Sequence, residues 1–134
     1  MDMTQIPVGL GETSDTLFDR VGGKPFFSDL VDKFYTLVSN DKVLRPLYPE
    51  DLEPGKGFLA GFLSQYWGGP PDYSAERGHP RLRRRHMAFP IGQIERDSWV
   101  NHMNKALDSM EISLDDKAAM KEYFENTATL MMNA

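Results

Sequence analysis

Cysteine is absent from this 134-residue chain. That gap excludes disulfides, thiolate metal sites, iron–sulfur clusters and cysteine nucleophiles. No apolar stretch approaches the roughly 20 residues that a membrane-spanning helix needs, and the acidic, polar start lacks a signal-peptide pattern. The strict apolar–polar alternation of a half-buried strand is also missing. Net basicity is missing as well: 15 Lys and Arg against 20 Asp and Glu give a net charge of −5. A pI near 5.1 argues against bulk nucleic-acid binding. What remains, 40% hydrophobic and 26% charged residues, describes an ordinary globular domain able to enclose a core and a buried ligand. A cytoplasmic enzyme or binding protein is the expectation. Residues 1–13 show no period and are expected to form a flexible tail, leaving 14–134 as the domain.

Helical spacing is present almost everywhere. Ser14 or Asp15 can cap a short helix carrying Leu17, Phe18 and Val21, stopped by Gly22-Gly23. A second helix starts near Pro25 and shows Phe26, Phe27, Leu30, Val31, Phe34, Tyr35 and Val38 on one face. Residues 40–47 predict one tight helical turn ended by prolines, and residues 52–57 predict a loop. A third long helix offers Phe58, Leu59, Phe62, Leu63, Tyr66 and Trp67 and stops at Gly68-Gly69-Pro70-Pro71. Pro80 can open a short helix through His86, which Phe89-Pro90 ends. Trp99, Met103, Ala106, Leu107 and Met110 mark another helix face, and Ser113 caps a last helix carrying Met120, Phe124, Thr127, Ala128 and Met131. The pattern is all-α.

Against this background one segment stands out. Residues 77–86 hold five arginines and no carboxylate. Set against a chain total of −5, they leave −10 on the remaining residues. Folding does not require such a concentration of charge; next to a histidine it points to an anionic ligand whose centre an imidazole can reach. His86 has arginines on one side and Met87 and Phe89 on the other, so it stands where apolar surface meets positive charge. A haem has the same profile: an apolar macrocycle, an iron that accepts imidazole, and two carboxylates at one edge. No second histidine or acid lies at a metal-pair spacing, which disfavours zinc or di-iron. The rival from another class is a helical RNA- or phosphate-binding module using Arg77 to Arg85, which predicts a colourless protein with steeply salt-dependent affinity. His79 and His102 lack this setting and read as ordinary helix-start and half-exposed residues.

Tyr35, Tyr48 and Trp99 each bring a polar hydrogen that must find a partner when buried. Aromatics at helical spacing usually serve the core, yet three such donors converging would be costly in a dry interior.

Several segments in order carry a resemblance. They are Phe34-Tyr35, Leu47-Tyr48-Pro49-Glu50-Asp51, Gln65-Tyr66-Trp67-Gly68-Gly69-Pro70, Gly78-His79-Pro80-Arg81-Leu82-Arg83 with His86, and Ile94-Glu95-Arg96-Asp97 with Trp99. Together they resemble the group II truncated haemoglobins of bacteria, from about Thr16 to near the C-terminus. The resemblance implies a truncated globin, a two-over-two helical sandwich enclosing haem b. It matches His86 to the proximal iron ligand and Tyr35, Tyr48 and Trp99 to the distal hydrogen-bonding residues. Gly55 matches the small residue at the distal gate, and Leu59, Phe62 and Leu63 fall where the distal helix packs on the porphyrin. Phe89 is counted with them as a cofactor contact, and Arg85 as a propionate partner. Phe58 departs from the family pattern, standing where some relatives carry a basic residue that pairs with a propionate.

The function implied is binding of dioxygen, nitric oxide or another small diatomic or anionic ligand. Redox chemistry on the bound ligand is the favoured form, as nitric oxide dioxygenation or peroxidase-like activity. Oxygen storage, transport or gas sensing without turnover is the alternative. A reductase partner and a homo-oligomer are left open; nucleic acid is not expected.

Overall fold

The structure is a computed structural model describing residues 15–134. The expected tail, residues 1–13, and the cap at Ser14 lie outside the described residues. Among those described are seven α-helices, one 3-10 turn and no strand. The helices are α1 (Leu17–Val21), α2 (Lys24–Ser39), α3 (Glu53–Tyr66), α4 (Asp72–Arg77), α5 (Leu82–His86), α6 (Gln93–Asp108) and α7 (Leu114–Leu130). None of them is long and apolar enough to cross a membrane.

Two helix pairs build the body: α2 packs on α3, α6 packs on α7, and α2 lies against α6 to join them. The seam is the apolar stripe of α2, whose seven expected residues are all buried, Phe27, Leu30, Phe34 and Val38 completely. Met103 and Leu107 of α6 and Met120 and Phe124 of α7 complete the core. Truncating Phe34 to Ala would cost about 3–5 kcal/mol, since nothing nearby can collapse into its place without moving a helix.

Local signals set the helix ends. The α1 cap is Thr16, whose hydroxyl accepts from the Asp19 N–H at 3.1 Å. Ser113 caps α7 as expected, accepting from Asp116 N–H at 3.1 Å. The Gly68-Gly69 pair permits a close approach. A Cβ on Gly68, whose φ is +107°, would lie 2.7 Å from Thr16, and one on Gly69 would lie 2.7 Å from the Phe18 ring. The end of α3 is therefore locked to α1, with Phe18 N–H donating to the Trp67 carbonyl at 2.9 Å.

Two expectations fail here. Residues 53–57 are the first turn of α3 rather than loop. Pro54 sits where its missing N–H is one of the helix's unpaired donors anyway, and Asp51 accepts from Glu53 N–H at 3.1 Å to start the turn. Pro46 lies inside the 3-10 turn Arg45–Leu47 instead of ending a helix. The early start of α3 matters because it puts Gly55 on a rigid element.

Candidate functional site

A cavity of about 320 Å³ opens between the two helix pairs, its wall mostly apolar. It falls in the size range of small-molecule and cofactor pockets. Leu59, Phe62 and Leu63 of α3 form part of the wall, and Ala128 and Met131 bring in the end of α7. Tyr35, Tyr48, Trp99, His86 and Phe89 also line it. Of the ten residues singled out in the sequence, eight therefore share one cavity; Gly55 and Arg85 stand outside its wall.

Gly55 is nevertheless tied to the site. A Cβ added there would lie 2.8 Å from the Tyr35 hydroxyl, so the missing side chain is what leaves room for the phenol. Tyr35 itself comes from the buried stripe of α2 and is 5% exposed. Its ring meets Phe34 edge-on at 5.6 Å and Tyr48 at 5.7 Å. Burial pushes its pKa up to about 12. The Tyr48 phenol is also pushed up, first by burial and then by Tyr35, with Trp99 pulling the other way through a side-chain hydrogen bond. Both hydroxyls keep their protons at neutral pH, so each has a hydrogen available to donate.

Tyr48 is positioned from a distance. Asp41, at the end of α2, accepts from Val43 N–H at 2.7 Å and Leu44 N–H at 3.4 Å, shaping the turn that leads to Tyr48. Its other oxygen meets His102 Nε2 of α6 at 2.5 Å. Partial burial works to raise the Asp41 pKa, but the bonds from His102, Val43 and Leu44 outweigh it and hold the carboxyl below its ordinary value. His102, on a helix and partly exposed as expected, also ties α6 to the turn that follows α2.

His86 ends α5, a five-residue helix that contributes nothing to the buried core. Its Nδ1 lies 2.7 Å from the Leu82 carbonyl. A ring nitrogen facing a carbonyl carries the proton, so the neutral imidazole keeps its lone pair on Nε2, the nitrogen a metal would take. No group of three His, Asp or Glu able to hold a metal ion occurs among the described residues. A single imidazole on an apolar cavity suits a metal that brings its own equatorial ligands, and the residues present fit a haem on that ground.

Beyond His86 the chain is clasped by residues 130–134. Asn133 donates to the carbonyls of Phe89 at 2.8 Å and His86 at 3.3 Å, and accepts from Ile91 N–H at 2.9 Å. Arg83 caps the end of α7, donating to the Leu130 carbonyl at 2.6 Å. Cations are favoured at that negative helix end. Arg81 adopts a left-handed conformation, φ 48°, and α5 starts at Leu82, two residues after the Pro80 start expected from the sequence.

The arginines divide. Arg85 donates its Nε to the Pro80 carbonyl at 2.7 Å, leaving its terminal amino groups outside the cavity wall. Arg96, quoted in the sequence only within the Ile94–Asp97 segment and given no role there, does line the cavity; it binds Thr129 at 3.1 Å and the Glu125 carbonyl at 3.1 Å, tying α6 to α7. Phe58 carries the Arg77 guanidinium on its face at 3.8 Å, so the apolar departure at this position receives a cation instead of supplying one.

Comparison with known proteins follows the same line. The model of the bacterial-like globin family matches residues 16–133. The group 2 truncated hemoglobin YjbI of Bacillus subtilis is 36% identical over 124 residues, covering 92% of this chain and 93% of its own. The crystal structure of a hemoglobin from Chloroflexus aurantiacus superposes with a TM-score of 0.87 at 48% identity, over 89% of this chain and 98% of the other. The group II truncated hemoglobin of Bacillus anthracis gives 0.86 at 36% identity, over 90% and 98%. With its paired helices, one cavity-lining imidazole and these relatives, the chain belongs to the bacterial-like globins and, among them, to the haem-binding group II truncated haemoglobins of two-over-two fold.

Proposed function

We propose that the chain holds haem b through His86 and binds dioxygen or another diatomic ligand beside Tyr35, Tyr48 and Trp99, with redox chemistry on that ligand. One observation carries the reading: a mostly apolar cavity has a single imidazole with Nδ1 already committed, and a cluster of polar hydrogens elsewhere on its wall. Bound haem would supply an iron with one open position and the capacity for one-electron change.

The protein's own residues do the rest. Leu82 fixes the His86 tautomer, and the Asn133 clasp fixes the segment behind it. Leu59, Phe62 and Leu63 offer the apolar face a macrocycle needs and keep water out. The protonated phenols of Tyr35 and Tyr48 would donate to a ligand that gathers negative charge, and the Trp99 indole would join them by turning its one N–H from Tyr48 to the ligand. Each such bond is worth about 1.5–3 kcal/mol when the acceptor is charged. Two of them would slow release by several decades. A protein that lets go so slowly is a poor shuttle, which favours nitric oxide dioxygenation or peroxidase-like turnover over transport. Arg85, with its terminal amino groups uncommitted, is our propionate partner; an Arg85→Ala variant that loses haem no faster would remove it.

The deciding experiment mixes oxygenated protein with nitric oxide in a stopped-flow instrument and, separately, measures peroxide turnover with a reducing co-substrate. Fast reaction in either supports turnover. Slow reaction in both leaves oxygen storage or sensing, the reading our account ranks second.

A further inference from the structure

The arginine run has more charge than the cavity uses. Arg81, Arg83, Arg84 and Arg85 are all exposed, and none makes an ion pair with a carboxylate among the described residues. No carboxylate occurs in the sequence from 77 to 94. Arg83 and Arg85 are held by backbone carbonyls, at 2.6 and 2.7 Å, so the charges stand in fixed positions rather than on free stems. The patch is also apolar. Met87 is 66% exposed, Phe89 41%, and Leu130, 62% exposed, presents the carbonyl that Arg83 binds. Arginine, methionine and aromatic side chains mixed on one surface are the composition of a protein contact, whereas a face that merely keeps a protein soluble would not expose its apolar groups beside them. Phe89 belongs to both worlds: it lines the cavity and reaches the surface, so the patch sits at the rim of the site behind His86.

We infer that the surface formed by Arg81, Arg84, Met87 and Phe89 docks an acidic one-electron donor protein of the ferredoxin or flavodoxin class. The inference rests on the haem reading, because nitric oxide dioxygenation by oxygenated ferrous haem would leave the iron ferric, one electron short of its dioxygen-binding state. In the step the donor's reduced centre loses one electron and ferric iron gains it; no bond forms or breaks and no proton need move. Charge complementarity selects the partner. The patch is positive while the remainder of the chain carries −10, so the molecule has a strong dipole that turns this face toward an acidic protein and the rest away. Contacts of this kind are small, under about 1,200 Å², and depend on such steering more than on area. A nucleic acid would meet that excess of negative charge on every other side, which is why a compact acidic protein is favoured.

The test uses full-length, haem-loaded protein and, as probe, a purified acidic [2Fe–2S] ferredoxin. Amide shifts of the labelled protein on adding oxidised ferredoxin should concentrate at residues 81–90. Stopped-flow reduction of ferric protein by reduced ferredoxin should slow about tenfold in Arg81→Glu/Arg84→Glu at low salt. The gap should close near 1 M salt, where the screening length falls to about 3 Å. Equal rates for parent and variant at low salt, or shifts scattered over other faces, overturn the proposal while leaving the haem reading intact. Tighter binding to duplex RNA or anionic vesicles than to ferredoxin also overturns it. A preparation that takes up no haem defeats the reading beneath it, and the proposal with it.

Discussion

Gly55→Ala is the smallest change that reaches the ligand side of the cavity without touching its wall. The added Cβ would stand 2.8 Å from the Tyr35 hydroxyl, and ordinary contact begins near 3.4 Å, so the phenol must withdraw by roughly 0.6 Å. It has little freedom to do so, being 5% exposed and wedged between Phe34 and Tyr48. A phenolic bond stretched by that amount leaves the usual O–H···O range of about 2.5–3.0 Å. Losing one bond to a negatively charged ligand costs about 1.5–3 kcal/mol, or about one to two decades in dissociation rate. Alanine also suits a helix better than glycine by about 0.5–1 kcal/mol, which offsets the crowding and keeps stability near the parent's. Dioxygen release, followed by stopped-flow replacement with carbon monoxide, should therefore accelerate strongly while the melting temperature barely moves. Tyr35→Phe should accelerate release in the same direction without the steric push. If Tyr35→Phe is fast and Gly55→Ala is unchanged, the contact at Gly55 does not govern the phenol. If both match the parent, Tyr35 is no donor and the account of the distal cluster fails.

Three further outcomes follow from the same geometry. Trp99→Phe removes the indole donor and should speed dioxygen release by about tenfold, with an unchanged rate striking Trp99 from the mechanism. The raised tyrosine pKa has a worked sign. Tyr35 ionises near 10 when unfolded but about 12 when folded, so stability is full below pH 10 and falls as pH rises toward 12. Absorbance near 295 nm should show Tyr35 and Tyr48 still protonated at pH 10; full ionisation of all tyrosines there would show that burial does not protect them. Asn133→Ala breaks the clasp behind His86, a loss of about 1 kcal/mol per bond. Amide exchange at Ile91 should quicken about fivefold and haem release with it, whereas unaltered exchange would make the clasp incidental.

Much of this molecule was legible in its sequence, for reasons that also explain what was not. The stripe of α2 repeats at helical spacing from Phe26 to Val38 and is buried as expected, because a long period with a single apolar face admits one orientation. The stop at Gly68-Gly69 is equally plain. The start of α3 was hidden because Pro54, Gly55 and Gly57 carry breaker chemistry, while the helix is held there by packing and by Asp51. The site residues His86, Tyr48 and Trp99 were picked out by residue type in context and by resemblance; periodicity alone would have assigned Tyr35 and Trp99 to the core. What escaped were pairings between distant positions. Asp41 and His102 are 61 residues apart, Arg96 and Thr129 are 33 apart, and Asn133 meets the Phe89 carbonyl across 44. No local pattern encodes such meetings, since they exist only once the separate segments have packed together.

The most direct test compares absorption spectra of the parent and a His86→Gly variant, each loaded with haem, before and after adding free imidazole. The account predicts that the parent shows a histidine-bound haem spectrum, that the variant loses it, and that imidazole entering the vacated space restores it. A variant whose spectrum and haem affinity equal the parent's would mean that another group holds the iron, and the site built around residue 86 would be wrong.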